Sequence, residues 1–120
     1  MWKGLSFRRR DGAHNADGAA WLAAHLDRSD YTLVVSILRD KNADAMLAAL
    51  ARTGPRLVAT TSSNARSLPA DELATIAERH FVQVEIEPDP VAALARAREH
   101  GPVLVTGSLY LLADLARNDA

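Results

Sequence analysis

Cysteine is absent from this chain, which excludes disulfides and thiolate metal sites and leaves a reducing compartment permitted. The four histidines, His14, His25, His80 and His100, lack the i, i+4 spacing of a helical metal pair, so no pattern calls for a bound metal. Charge of one sign is lacking too. Fourteen Lys and Arg face fifteen Asp and Glu, for a formal net charge of −1, and this balance offers no electrostatic grip on nucleic acid or an anionic membrane. The one basic cluster, Arg8-Arg9-Arg10, has no aromatic platform or second basic patch beside it and reads as a solvated run. Contact with phosphates, RNA or a partner domain is its alternative. No apolar run approaches the length of a membrane span, and no Gly-x-x-x-x-Gly-Lys-Ser/Thr phosphate loop occurs between Met1 and Ala120. The expectation is a cytoplasmic protein with neither nucleic acid nor membrane as a partner.

What is present fits one compact domain: 120 residues, 48% of them hydrophobic, with no internal repeat or low-complexity linker. Apolar periodicity switches between short β-type runs and helical faces, the pattern of an α/β domain with a parallel sheet. The spacing predicts a first helix over 15–26 with Ala19, Leu22, Ala23 and Leu26 inward, then a buried strand over 31–37. Asn42 caps a second helix that buries Ala43, Met46, Leu47 and Leu50 and is stopped by Gly54-Pro55. A third buried run covers 56–60, and Pro69, Asp71 and Glu72 open a helix whose inner face is Leu73, Ile76 and Ala77. The alternation of Val82, Val84 and Ile86 with polar residues predicts a half-exposed edge strand. Asp89-Pro90 starts a fourth helix to Glu99, Val103 to Val105 is a last buried strand, and Leu111, Leu112 and Leu115 face the sheet from a final helix whose tail, 117–120, frays.

Four motifs stand at predicted strand-to-helix loops, the edge where open α/β sheets collect ligands. Asp11-Gly12-Ala13-His14-Asn15 opens the first helix and resembles the signature that starts the C-terminal domain of folylpolyglutamate and dihydrofolate synthases, relatives of the Mur peptidoglycan ligases. Asp40-Lys41-Asn42 is similar to that family's Asp-Lys-Asp loop and departs from it at the third position. Ala65-Arg66-Ser67-Leu68-Pro69 resembles its Pro-Arg-Ala-Leu-Pro, with alanine in place of the first proline, and Val105-Thr106-Gly107-Ser108-Leu109-Tyr110-Leu111 is identical to its closing run. The match is least regular at the start. Leu5-Ser6-Phe7 runs into three arginines, so the first strand is expected to be short, near an edge or disrupted.

The resemblance implies a Rossmann-like, mostly parallel sheet flanked by helices, as in Mur ligase C-terminal domains, filling residues 1–120. It also implies a role in folate biosynthesis and one-carbon metabolism. In that family ATP activates a carboxylate as an acyl phosphate, which the amino group of glutamate attacks to form an amide. A separate N-terminal ATPase domain with a phosphate loop is the main holder of Mg2+ and of the folate or dihydropteroate substrate. This chain would then be half of such a ligase, inactive alone. A stand-alone nucleotide-binding module or a protein-interaction module is the alternative.

By the resemblance, Asp11, His14 and Asn15 belong to the nucleotide site. Asp11 can accept from ribose hydroxyls and His14 can offer a donor or a ring face, whereas Asp11 and Asn15 can equally serve to shape the turn and cap the helix. Lys41 can approach a phosphate or acyl-phosphate oxygen, or form with Asp40 a solvated pair that only positions its loop. Arg66 suits a carboxylate through its planar fork, against a plain surface role. Ser108 and Tyr110 resemble residues on the glutamate side, and capping by Ser108 and packing by Tyr110 are the local alternatives.

Overall fold

The computed structural model describes residues 2–3, 16–26 and 28–119. Its elements run β1 (Trp2–Lys3), α1 (Ala16–His25), β2 (Thr32–Val35), α2 (Ala43–Leu50) with a 3-10 turn (Ala51–Thr53), β3 (Arg56–Ala59), α3 (Ala70–Ala77), β4 (Gln83–Ile86), α4 (Pro90–Arg98), β5 (Val103–Thr106) and α5 (Leu109–Asp119). The strands form one sheet in the order β1-β5-β2-β3-β4, every pair parallel.

Period-two alternation divides the sheet's apolar side chains between two cores. Leu33, Val35, Leu57, Ala59 and Leu104 pack with α1, α2 and α3. Val34, Val58, Val103 and Val105 pack with α4 and α5. The central strands β2 and β5 are buried at all four positions, which is why they read as continuous apolar runs. Small residues line much of the helical inner faces: Ala19, Ala43, Ala70, Ala74, Ala77, Ala93 and Ala97 are all buried. The larger contributors are Met46, Leu47, Leu50, Leu73 and the α5 trio Leu111, Leu112 and Leu115, each worth about 1.5–3 kcal/mol of burial.

The caps explain where the helices begin. Asn42 Oδ1 accepts from Ala45 N at 3.1 Å at the start of α2. Asp89 Oδ2 accepts from Ala92 N at 2.9 Å, with Pro90 at the first helical position of α4. Pro69 takes the N-cap position of α3, with extended backbone.

Several expectations need correction. The strand predicted over 31–37 ends at Val35, because the next residues leave the ladder and Leu38 forms an antiparallel bridge with Ser67. Val82 is 84% exposed, since its N–H and that of Gln83 both donate to Pro55 O and the strand proper starts at Gln83. Within β4 only Val84 packs on the core, and Ile86 is exposed on this outermost strand. Arg96 pairs from α4 with Glu85 and Glu87 at 3.6 and 3.2 Å, and charge along an edge strand discourages further pairing. The tail expected to fray over 117–120 is helical through Asp119. The two-residue β1 lies at the opposite edge beside β5. The Arg8-Arg9-Arg10 run and the Asp11 to Asn15 motif lie outside the described residues.

Candidate functional site

Three loops leave the carboxyl ends of β2, β3 and β5 and build one surface. The first two are stitched together. Arg39 N donates to Arg66 O at 2.7 Å, Leu68 N donates to Ile37 O at 2.9 Å, and the Leu38–Ser67 bridge lies between them. Thr60 N adds a bond to Val35 O at 3.0 Å, and Ser62 N donates to Ser36 Oγ at 3.1 Å. Ser62 and Ser67 share a short hydroxyl–hydroxyl hydrogen bond in the buried interior of this braid. Asn64 Oδ1 accepts from Arg66 N at 2.8 Å, a local Asx turn that, with the Arg39 bond, holds both backbone polar groups of Arg66.

The third loop turns at Gly107, which has φ +103°. A Cβ there would lie 2.5 Å from Ser36 O and 3.1 Å from Val35 Cγ1, so both the backbone angle and the space demand glycine. Ser108 follows, buried, with its Oγ accepting from Tyr110 N at 3.1 Å. The capping role weighed for Ser108 is therefore realised at the start of α5.

Between these loops opens a cleft of about 450 Å³. Five of the eight site residues singled out in the sequence line it: Asp40, Lys41, Arg66, Ser108 and Tyr110. Leu38, Leu109 and Ala113 supply apolar wall, so the cleft has an apolar body and a charged rim. The other three, Asp11, His14 and Asn15, lie outside the described residues. Asp40 and Lys41 were weighed as a mutual pair, but the carboxylate is engaged by Arg66, whose Nη1 donates to Asp40 Oδ2 at 3.1 Å. Both side chains are more than half exposed, so the pair contributes little stability and can be exchanged for another partner.

Sequence reading missed Asp114. Its side chain is only 9% exposed, and it accepts from Ser63 N at 2.7 Å and from Ser63 Oγ at 2.6 Å, while Arg117 donates to the same carboxylate. The signal was available: an acid three residues after Leu111 and one before Leu115 interrupts the apolar stripe of α5. Among the described residues no group of three His, Asp or Glu side chains converges to hold a metal ion. No helix among them is long and apolar enough to cross a membrane.

Residues 10–118 match the family described as dihydrofolate synthetase, C-terminal domain. The chain belongs to this family. Among its curated relatives, the probable bifunctional folylpolyglutamate synthase/dihydropteroate synthase of Haloferax volcanii is 36% identical over 112 residues, 87% of this chain and 13% of the relative. The dihydrofolate synthetase of Saccharomyces cerevisiae is 28% identical over a 125-residue alignment that takes in 89% of this chain and 29% of the relative. The chain thus spans less than a third of the length of either. Among solved structures, Mycobacterium tuberculosis folylpolyglutamate synthase complexed with ADP and AMPPCP superposes with a TM-score of 0.78 at 30% identity, over 89% of this chain and 28% of that one. The parallel α/β architecture of this C-terminal domain family, expected from the motifs, is the one observed.

Proposed function

We propose that this domain works as the C-terminal part of an ATP-dependent folylpolyglutamate or dihydrofolate synthase, where it helps bind nucleotide and orients glutamate for amide formation through an acyl phosphate. One observation carries the reading: in a chain of this family, Arg66, Lys41 and the first turn of α5 converge on a single cleft at the carboxyl edge of the sheet.

The chemistry follows from the side chains. The backbone of Arg66 is held by hydrogen bonds while its fork is loosely occupied by one bond to Asp40, so an incoming carboxylate of glutamate displaces Asp40 and takes two parallel hydrogen bonds. Lys41 adds a mobile positive charge on the same rim, suited to a phosphate or acyl-phosphate oxygen. Ser108 uses a lone pair to cap α5, which leaves its hydroxyl proton for donation, and the positive end of the helix dipole favours an anion there. The exposed ring of Tyr110 and the apolar wall limit water around the attacking amine. Fixing the amine against its target is the contribution asked of this domain. ATP use is inferred from the nucleotide complexes of the mycobacterial relative. Magnesium, when bound, neutralises phosphoryl charge, and its ligands are assigned to an ATPase domain, as are those of the folate or dihydropteroate substrate.

The test supplies an ATPase domain and compares wild type with Arg66→Ala. Loss of a charge-assisted bond of about 1.5–3 kcal/mol weakens apparent glutamate affinity by about one to two orders of magnitude and leaves ATP kinetics unchanged. Equal glutamate kinetics in both proteins would return Arg66 to the surface and sink the reading.

A further inference from the structure

We propose that Asp114 is a positioning residue, whose buried carboxylate ties the Arg66 loop to α5 and so sets the two walls of the cleft relative to each other. The inference deepens the glutamate-orienting role proposed above and rests on it for its catalytic consequence, although not for its structural part.

The geometry is specific. Asp114 lies one helical turn after Tyr110 and directly after Ala113, both of which line the cleft from α5. Ser63 lies three residues before Arg66, with the Asn64 turn between them. The carboxylate captures Ser63 through both its N–H and its hydroxyl, at 2.7 and 2.6 Å, across 51 residues of sequence. Two donors on two oxygens fix direction as well as distance, which a single bond does not.

Burial of a carboxylate is costly unless it is paired and hydrogen-bonded, so its presence needs a reason. Leu111, Leu112 and Leu115 already form an apolar stripe that a further apolar side chain at 114 would simply extend. The charge instead meets a loop that is otherwise fastened to the β2 loop and, at its start, to Pro88 O through Thr60 and Thr61. Without Asp114, the braid carrying Arg66 is still attached to the β2 loop but loses this tie to the wall formed by α5. Arg117, largely exposed, neutralises the carboxylate from outside.

The experiment has two arms, each applied to Asp114→Ala and to Ser63→Ala. The second removes the hydroxyl bond from the exposed side and buries nothing new, so it guards against a folding defect. In the chain itself, amide hydrogen exchange at Ser63 is expected to quicken about ten- to hundredfold in Asp114→Ala, which removes both acceptor oxygens. The Arg66 and Tyr110 amide resonances should shift while the β2 amides stay protected. With an ATPase domain supplied, both variants raise the glutamate KM and leave kcat and the ATP KM in place.

Unchanged exchange at Ser63 overturns the anchor. Faster exchange with an unchanged glutamate KM, in an enzyme where Arg66→Ala does raise it, overturns the claim that the anchor sets the cleft while the proposed function stands. If Arg66→Ala itself has no effect on glutamate, the proposed function fails, and the exchange arm still decides whether Asp114 holds the loop.

Discussion

The two edges of the sheet are closed by different chemistry. At the amino edge the turns before β3 and β5 use Gly54-Pro55 and Gly101-Pro102, and the closing bonds are chiefly backbone: Tyr31 N to Thr53 O, Thr32 N to Pro102 O, and Val82 N and Gln83 N to Pro55 O. At the carboxyl edge, side chains add their own bracing to the backbone bonds between the loops. Ser36, Ser62, Ser63, Asn64, Ser67, Ser108 and Asp114 all hold loop backbone or one another there. A turn that only reverses the chain needs a compact backbone, whereas a surface that must present Arg66 and Lys41 at set positions needs longer loops fixed from several directions. The contrast separates stability from presentation, and substitutions at the two edges should separate them as well.

The largest effect is expected at the amino edge. A Cβ on Gly54 would stand 1.7 Å from Tyr31 O and 2.6 Å from Tyr31 C, both backbone atoms that cannot swing away. Gly54→Ala should therefore cost on the order of 3 kcal/mol or more of stability, read from the denaturant midpoint. The protein that remains folded should keep wild-type amide resonances at Arg66 and Ser108. A loss under about 1 kcal/mol would show that the end of β2 yields easily, and the rigid-turn view of this edge would go.

Gly107→Ala is the counterpart at the carboxyl edge and should cost somewhat less. Its φ of +103° and the 2.5 Å approach to Ser36 O strain any side chain, at about 1–3 kcal/mol for the backbone angle. Here the disturbance must reach the cleft: amide resonances of Ser108, Tyr110 and Ser62 should all move, because Ser62 N is bonded to Ser36 Oγ. Destabilisation with those resonances unmoved would break the link between this turn and the presented surface.

The same division explains what was legible in the sequence. The strands, the Asn42 and Asp89 caps, the Gly-Pro stops and the inner face of α2 all follow from local rules that act within a few residues. Placement of Asp40, Lys41, Arg66, Ser108 and Tyr110 on one edge also followed, since parallel strands send their carboxyl-end loops to the same side. The braid did not. Asp114 meets Ser63 and Arg66 meets Asp40 across 51 and 26 residues, and no periodicity or cap signals such a partner. Val82 failed for a related reason: alternation identified a strand, but the paired donation of Val82 N and Gln83 N to Pro55 O decided where it starts.

The smallest predicted effect belongs to a pair that does not line the cleft. Asp44, in the first turn of α2, accepts from His80 Nε2 at 2.9 Å, with Arg79 Nη1 at 3.5 Å. The His80 hydrogen bond first, then the nearby positive charge, holds the Asp44 carboxyl below its ordinary value. A carboxylate with a lowered folded-state pKa binds fewer protons folded than unfolded as pH falls past its ordinary range. Its contribution is thus complete above that range and is lost progressively as pH drops through the lowered folded-state value. Asp44→Asn removes the titrating group, so the wild-type advantage in Tm should be steady in its acid response above the carboxylate range and shrink below it. The effect should be small, because an exposed pair in water is well screened, and smaller still at high salt. Melting both proteins across the acid limb at low and high salt reads it directly. A Tm difference that widens on acidification would reverse the sign and remove Asp44 from the list of groups that stabilise the fold by staying ionised.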